Sequence, residues 1–185
     1  MNATELLAGR HSIGKLAEPA PDAATLERVI RAALRAPDHG ALRPWKVLVF
    51  RGDGRKRLGA ILGEALLRQM PDASADDVSK AKSKVERAPL LLAVVANLKP
   101  SKKIPEIEQV LSAGCVMYGL HLALAAEGFG SVWKTGAPVY DPFVRERLGL
   151  AVTDQIIGFL YVGTPAEVAL DVRRPDPKDF VVEWT

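Results

Sequence analysis

A single cysteine, Cys115, stands in the whole chain, which excludes an intrachain disulfide and removes any sign of an oxidising compartment. Three histidines, at 11, 39 and 121, and that one cysteine show no metal-ligand spacing, so no metal is expected. Lys and Arg never form the run of five or six that marks a nucleic-acid patch. The formal net charge of +3 is explained equally well by an anionic small ligand, and no nucleic-acid partner is expected. The start, MNATELLAGRHS, lacks a basic segment and an apolar stretch of secretory length; no signal peptide is read, and a cytoplasmic chain is expected. The most apolar segment, 110–129, is interrupted by Ser112, His121 and Glu127, and reads as a core helix rather than a membrane span. Internal repeats and low-complexity linkers are absent.

What is present is enough to fold once. With 185 residues, 48% of them apolar and 25% charged, the chain reads as one compact domain, 1–185. A short helix is expected over 3–9. An amphipathic helix follows over 22–36, with Asp22 as N-cap and Leu26, Val29, Ile30, Ala33 and Leu34 in the i, i+3, i+4 rhythm; Pro37 ends it. Residues 46–51 read as a strand, 55–70 and 74–87 as helices, and 90–96 (LLLAVVA) as a buried strand. The long helix expected over 106–127 is apolar nearly all round, so it needs cover on every side, and a second subunit is the natural cover. A strand over 129–134, a helix over 142–148 and a strand over 155–162 complete the body; after Gly163 the chain reads as an arm. This order is mixed, without strict alternation, and the fold class expected is α+β.

Several motifs fail on inspection. Residues 9–15 match G-x4-G-K, but Leu16 stands where Ser or Thr must hold magnesium, and the preceding segment reads as helix. Gly128-Phe129-Gly130 follows a helix and has Trp133 where a third glycine belongs, so it reads as a helix C-cap and turn, not a dinucleotide fingerprint. Ser12, Asp38 and His39 make no triad, because adjacent Asp38 and His39 cannot orient each other. His121 reads as a hydrogen-bonded core residue, Cys115 as an inert buried thiol, and 123–128 as helix core.

Two constellations remain in the first 45 residues. Arg10-His11-Ser12 offers a cation and a hydroxyl suited to a phosphate. Arg35-Ala36-Pro37-Asp38-His39, leading to Arg43-Pro44-Trp45, is a helix end running into a polar loop suited to a flat ligand.

Taken in order, these motifs resemble the flavin-dependent nitroreductase family, in its compact bacterial branch. R-x-S near the start, A-P-x(6)-P-W before a strand, Ser112-Ala113-Gly114-Cys115 on a long apolar helix, G-F-G-x-x-W-K-T-G from Gly128 and Gly158 to Pro165 carry the likeness, which covers essentially the whole chain. The resemblance implies a mainly antiparallel sheet flanked by helices, an intertwined homodimer with the arm, 164–185, packed on the partner, and FMN bound between subunits. It implies an oxidoreductase, taking hydride from NADH or NADPH and passing it through the flavin to a small-molecule acceptor such as a nitroaromatic or a quinone. By position, Arg10, His11 and Ser12 would hold the phosphate and ribityl chain; Arg35 and His39 would approach the flavin, from the partner subunit in one arrangement, with Pro37 nearby; Trp133, Lys134 and Thr135 would line the site. No catalytic side chain is implied, because flavin N5 carries the hydride. Lys134 or Arg35 would supply a cation near flavin N1. Departures occur at His11, Lys15, His39, Ala41 and Arg43, which bear on the substrate more than on the flavin. The alternatives are a dehydrogenase, a dehalogenase or a flavin-consuming enzyme on this scaffold, or a non-catalytic flavin-binding protein.

Overall fold

The computed structural model describes residues 2–167 and 174–185. Five strands form the centre: β1 (Leu16–Ala17), β2 (Trp45–Phe50), β3 (Leu90–Ala96), β4 (Gly130–Lys134) and β5 (Gln155–Pro165). Every pairing is antiparallel, in the order β1-β5-β3-β2, with β4 also on β5. Residues 159–162 of β5 are bonded to β3 on one side and to β4 on the other, which makes β5 the spine of the sheet.

β3 is buried at every position. Both faces of the sheet are covered, which is why this strand reads as an unbroken apolar run. On one face Leu90, Leu92, Val94 and Ala96 meet α2 (Ala23–Ala33) and α5 (Glu106–Ala126). On the other, Leu91, Ala93 and Val95 pack with α3 (Asp53–Gln69) and with Val139 and Val144, from α6 (Ala137–Tyr140) and α7 (Pro142–Arg147). α1 (Ala3–Gly9) is closed by a capping box between Asn2 and Glu5, and Asp22 caps α2 through the Thr25 amide, 2.7 Å away. The architecture is α+β: an antiparallel sheet flanked by helices.

The elements depart from the sequence reading in four places. The helix expected over 74–87 stops as α4 (Ala75–Ser83) and tightens into a 3-10 turn over Lys84–Arg87; the Ser83 hydroxyl donates to the Lys80 carbonyl, the local competition that loosens a helix end. β1 and α6 were unexpected, being too short to show a period. The arm does not begin at Gly163, since β5 continues to Pro165 by pairing with Leu16 and Ala17. Cys115 is exposed, not buried. α5 explains this: Gln109, Ser112, Ala113, Val116, Met117, Leu120, His121 and Leu124 take its covered face, leaving Cys115 on the other. That other face is apolar and open, with Ile107 and Leu111 each 62% exposed.

By length and composition α5 is apolar enough to cross a membrane. Its covered face packs on the sheet as a core helix does.

Candidate functional site

β4 organises the site. It bonds to β5 on one edge, while its outer edge has no strand partner among the described residues. Its side chains alternate across the sheet. Ser131 and Trp133 point toward α5, Val132 and Lys134 toward α3 and α6. Three cavities meet this strand in order, and Ser131 to Lys134 spans roughly 10 Å at the usual strand rise.

The first cavity, about 180 Å³, is bounded by Arg10, His11, His121, Gly130 and Ser131. The Ile13 amide donates to the Ser131 carbonyl at 3.0 Å, and this bond brings the segment after α1 onto β4. Arg10 Nη1 reaches Ser12 Oγ at 3.4 Å and His121 Nε2 at 2.7 Å. His121 Nδ1 in turn pairs with Ser131 Oγ. Burial, then the Arg10 charge, pushes the His121 pKa down to about 4, so its ring is neutral at physiological pH. Arg174 returns from the C-terminal segment and sets Nη2 3.1 Å from His11 Nε2. Lys15 is held aside by Glu167 at 3.4 Å.

The second cavity is a cleft of about 810 Å³, mostly apolar, between the end of α2, the open face of α5 and β4–β5. Arg35, Pro37 and Trp133 line it together with Cys115 and Tyr118. Ser112 Oγ donates to the Pro37 carbonyl at 2.5 Å, tying the loop after α2 to α5. That loop is strained: Gly40, Ala41 and Arg43 have φ of 69°, 53° and 49°, and the Asp38 carboxylate holds the turn by accepting from the Arg43 amide at 2.8 Å. Left-handed residues other than glycine cost about 1–3 kcal/mol each and persist where the surroundings demand them.

The third cavity, about 170 Å³, holds Lys134 and Thr135 beside Gly136, Lys84 and Tyr161. Two lysines therefore line one small space. Burial raises the Tyr161 phenol above its ordinary value, with Arg87 opposing.

The expected residues thus fall into three groups along β4: Arg10, His11 and Ser12 at its start, Arg35, Pro37 and Trp133 at its middle, Lys134 and Thr135 at its end. His39 is not brought to the strand within one chain; it pairs with Glu108 at 2.7 Å on the rim of α5. Asp38 and His39 face different partners, so no triad forms. Gly128, at φ 83°, ends α5 as a cap, and the Phe129 amide returns to Leu124 at 2.9 Å.

His121 is the hydrogen-bonded core residue that the sequence reading expected, with Arg10 and Ser131 as its partners. Three contributors escaped that reading: Ser131, Arg174 and Lys84. They are brought in by contacts between distant parts of the chain, or by the α4 break, and have no local signature.

The "Nitroreductase family" model matches residues 7–164. A protein of Escherichia coli strain K12 named "Putative NAD(P)H nitroreductase YdjA" is 42% identical over 182 residues, covering 98% of both chains. A "Putative NAD(P)H nitroreductase" of Haemophilus influenzae is 41% identical over 183 residues, again covering 98% of each. Among solved structures, a nitroreductase-like family protein from Bacillus cereus superposes with a TM-score of 0.86 at 21% identity, covering 100% of this chain and 96% of that one. The FMN and NADPH-dependent nitroreductase NfnB from Sphigopyxis sp. strain HMH gives a TM-score of 0.74 at 22% identity, covering 100% and 99%. These two likenesses bear on the fold.

Proposed function

The chain belongs to the nitroreductase family, and from that premise we propose that it is an FMN-dependent oxidoreductase carrying hydride from NADH or NADPH to a small-molecule acceptor such as a nitroaromatic or a quinone. One observation carries the reading: cationic donors at the start of β4 and a mostly apolar cleft at its middle lie on one face of the strand, and a cavity lined by Lys134 and Lys84 lies on the other.

The donor set fits the cofactor. Arg10, Ser12 and Arg174, with His11, offer charge-assisted bonds for a phosphate. The outer edge of β4 beyond Ser131, which has no strand partner among the described residues, would offer backbone groups to the polar rim of a ring. Lys134 and Lys84 put positive charge at the far end, where it favours an electron-rich reduced ring. When bound, FMN supplies N5 as the atom that takes and gives hydride; the protein supplies binding, orientation and field. No side chain is assigned a catalytic role.

The working unit is a homodimer. Ile107, Leu111 and Tyr118 leave an apolar stripe on α5 uncovered, and obligate interfaces bury about 2,000–5,000 Å². Phe180, Val182 and Trp184, at 74%, 90% and 97% exposure, would add the end of the arm to that interface. Thr164 and Pro165 of the expected arm pair with their own chain, Arg174 bonds to its own His11, and 168–173 lie outside the described residues. Across the dimer axis His39, which one chain does not bring to its own β4, would serve the partner's flavin. One domain, 1–185, would form each half. Nicotinamide and acceptor would occupy the same cleft in turn, giving ping-pong kinetics.

The test is spectroscopic. Purified protein is expected to be yellow, to release FMN on heating, to bleach with NADH or NADPH under anaerobic conditions and to recover colour on adding a nitroarene. Colourless protein that refuses added FMN overturns the reading, and a bound flavin that no nicotinamide bleaches overturns the catalytic half of it.

A further inference from the structure

Arg10 differs from the arginines of α2. Arg28 and Arg31 are committed to carboxylates, Glu127 at 2.9 Å and Glu27 at 2.6 Å. Arg10 is not: among the described residues its guanidinium meets only Ser12 and His121, with no carboxylate. Arg174 repeats the pattern on His11.

Guanidinium groups only donate hydrogen bonds. His121 Nε2 therefore accepts from Arg10, and the ring proton must sit on Nδ1, from which it donates to Ser131 Oγ. Charging the ring would set cation against cation at 2.7 Å in a residue only 4% exposed. We propose that His121 is a positioning residue: locked by Ser131 as the neutral Nδ1–H tautomer, it aims Arg10 at the FMN phosphate without cancelling the arginine's charge. A glutamate at this place would orient Arg10 as well, yet would compete with the phosphate for it. An imidazole gives direction and leaves the full cation for the ligand.

This rests on the reading of Arg10 as a phosphate holder, and the test separates the two. The full-length chain is stripped of flavin and titrated with FMN and with riboflavin, which lacks only the phosphate. In His121→Leu, FMN binding is expected to weaken about tenfold, the loss of one charge-assisted hydrogen bond, with riboflavin unchanged. His121→Gln, which restores an acceptor toward Arg10, recovers most of it. Equal weakening for both ligands, or none, overturns the proposal. Should His121→Leu fail to fold, Ser131→Ala carries the same comparison, and an unchanged preference for FMN in that variant overturns the proposal equally. If Arg10→Met leaves that preference intact, the phosphate reading itself fails; if it removes the preference while His121→Leu does not, only the positioning role fails. Nitrogen-15 NMR of the histidine rings gives a readout independent of ligand: the Nδ1–H form is expected for His121, and the Nε2–H form overturns the proposal.

Discussion

The indole of Trp133 occupies the space that a side chain on residue 158 would need. A Cβ built on Gly158 would stand 2.2 Å from Trp133 Nε1. The register of β3 against β5 slips here, between Val94 and Val95, and leaves the Ile157 carbonyl to accept from Trp133 Nε1 at 3.3 Å. Bulges commonly re-aim a side chain next to a functional site. Gly158→Ala is expected to push Trp133 into the cleft. The cost should be about 1–3 kcal/mol of stability, read by denaturant titration, with a shifted tryptophan emission and a raised KM for bulky acceptors.

Leu111 and Leu120 lie on opposite faces of α5, and their replacements should separate assembly from folding. Leu120 is fully buried, so Leu120→Ala should cost about 2–5 kcal/mol in any oligomeric state. Leu111 is 62% exposed in one chain. Leu111→Glu is expected to leave the far-UV circular dichroism intact while light scattering reports monomers and flavin is lost. A dimer that survives this change would place the interface elsewhere.

His121 should leave a signature in stability against pH. Its folded pKa, about 4, lies below the ordinary 6.5. Below 6.5 the unfolded chain takes up a proton that the folded chain refuses until about 4. The contribution is therefore whole above 6.5, falls between 6.5 and 4, and changes no further below. Over that window it amounts to roughly 3 kcal/mol at about 1.36 kcal/mol per unit. Urea titrations at about pH 7 and about pH 5, on either side of the ordinary imidazole value, should show a smaller loss in His121→Gln than in the parent.

Asp154 acts in a lower range. Burial by itself would raise its pKa, but bonds from Asn97, the Ala151 amide and Lys46 outweigh it and hold the carboxyl below its ordinary 3.8. Its stabilisation is present above 3.8 and is lost as pH falls through the folded value. Asp154→Ala, which strips Asn97 Nδ2 of its partner at 2.7 Å, should cost about 1.5–3 kcal/mol at neutral pH.

Lys134 should tune the cofactor. Lys134→Met is expected to lower the flavin midpoint potential by roughly 30 mV, equivalent to about 1.4 kcal/mol for two electrons. Arg35→Met is expected to lower it as well. An unchanged potential in Lys134→Met would remove the lysine from the ring's surroundings.

Much of this was written in local periodicity. Buried strands betray themselves by unbroken apolar runs, as in 90–96, and helices by three-four spacing and caps, as at Asp22. A helix apolar on both faces declares that something must cover it. The pairing of Arg10 with His121, the seat that Gly158 leaves for Trp133, the return of Arg174 to His11 and the exposure of Cys115 were decided by tertiary structure alone. Each depends on which residues distant in the chain come to share one edge of a sheet or one side of a helix, and no short window of sequence contains both partners.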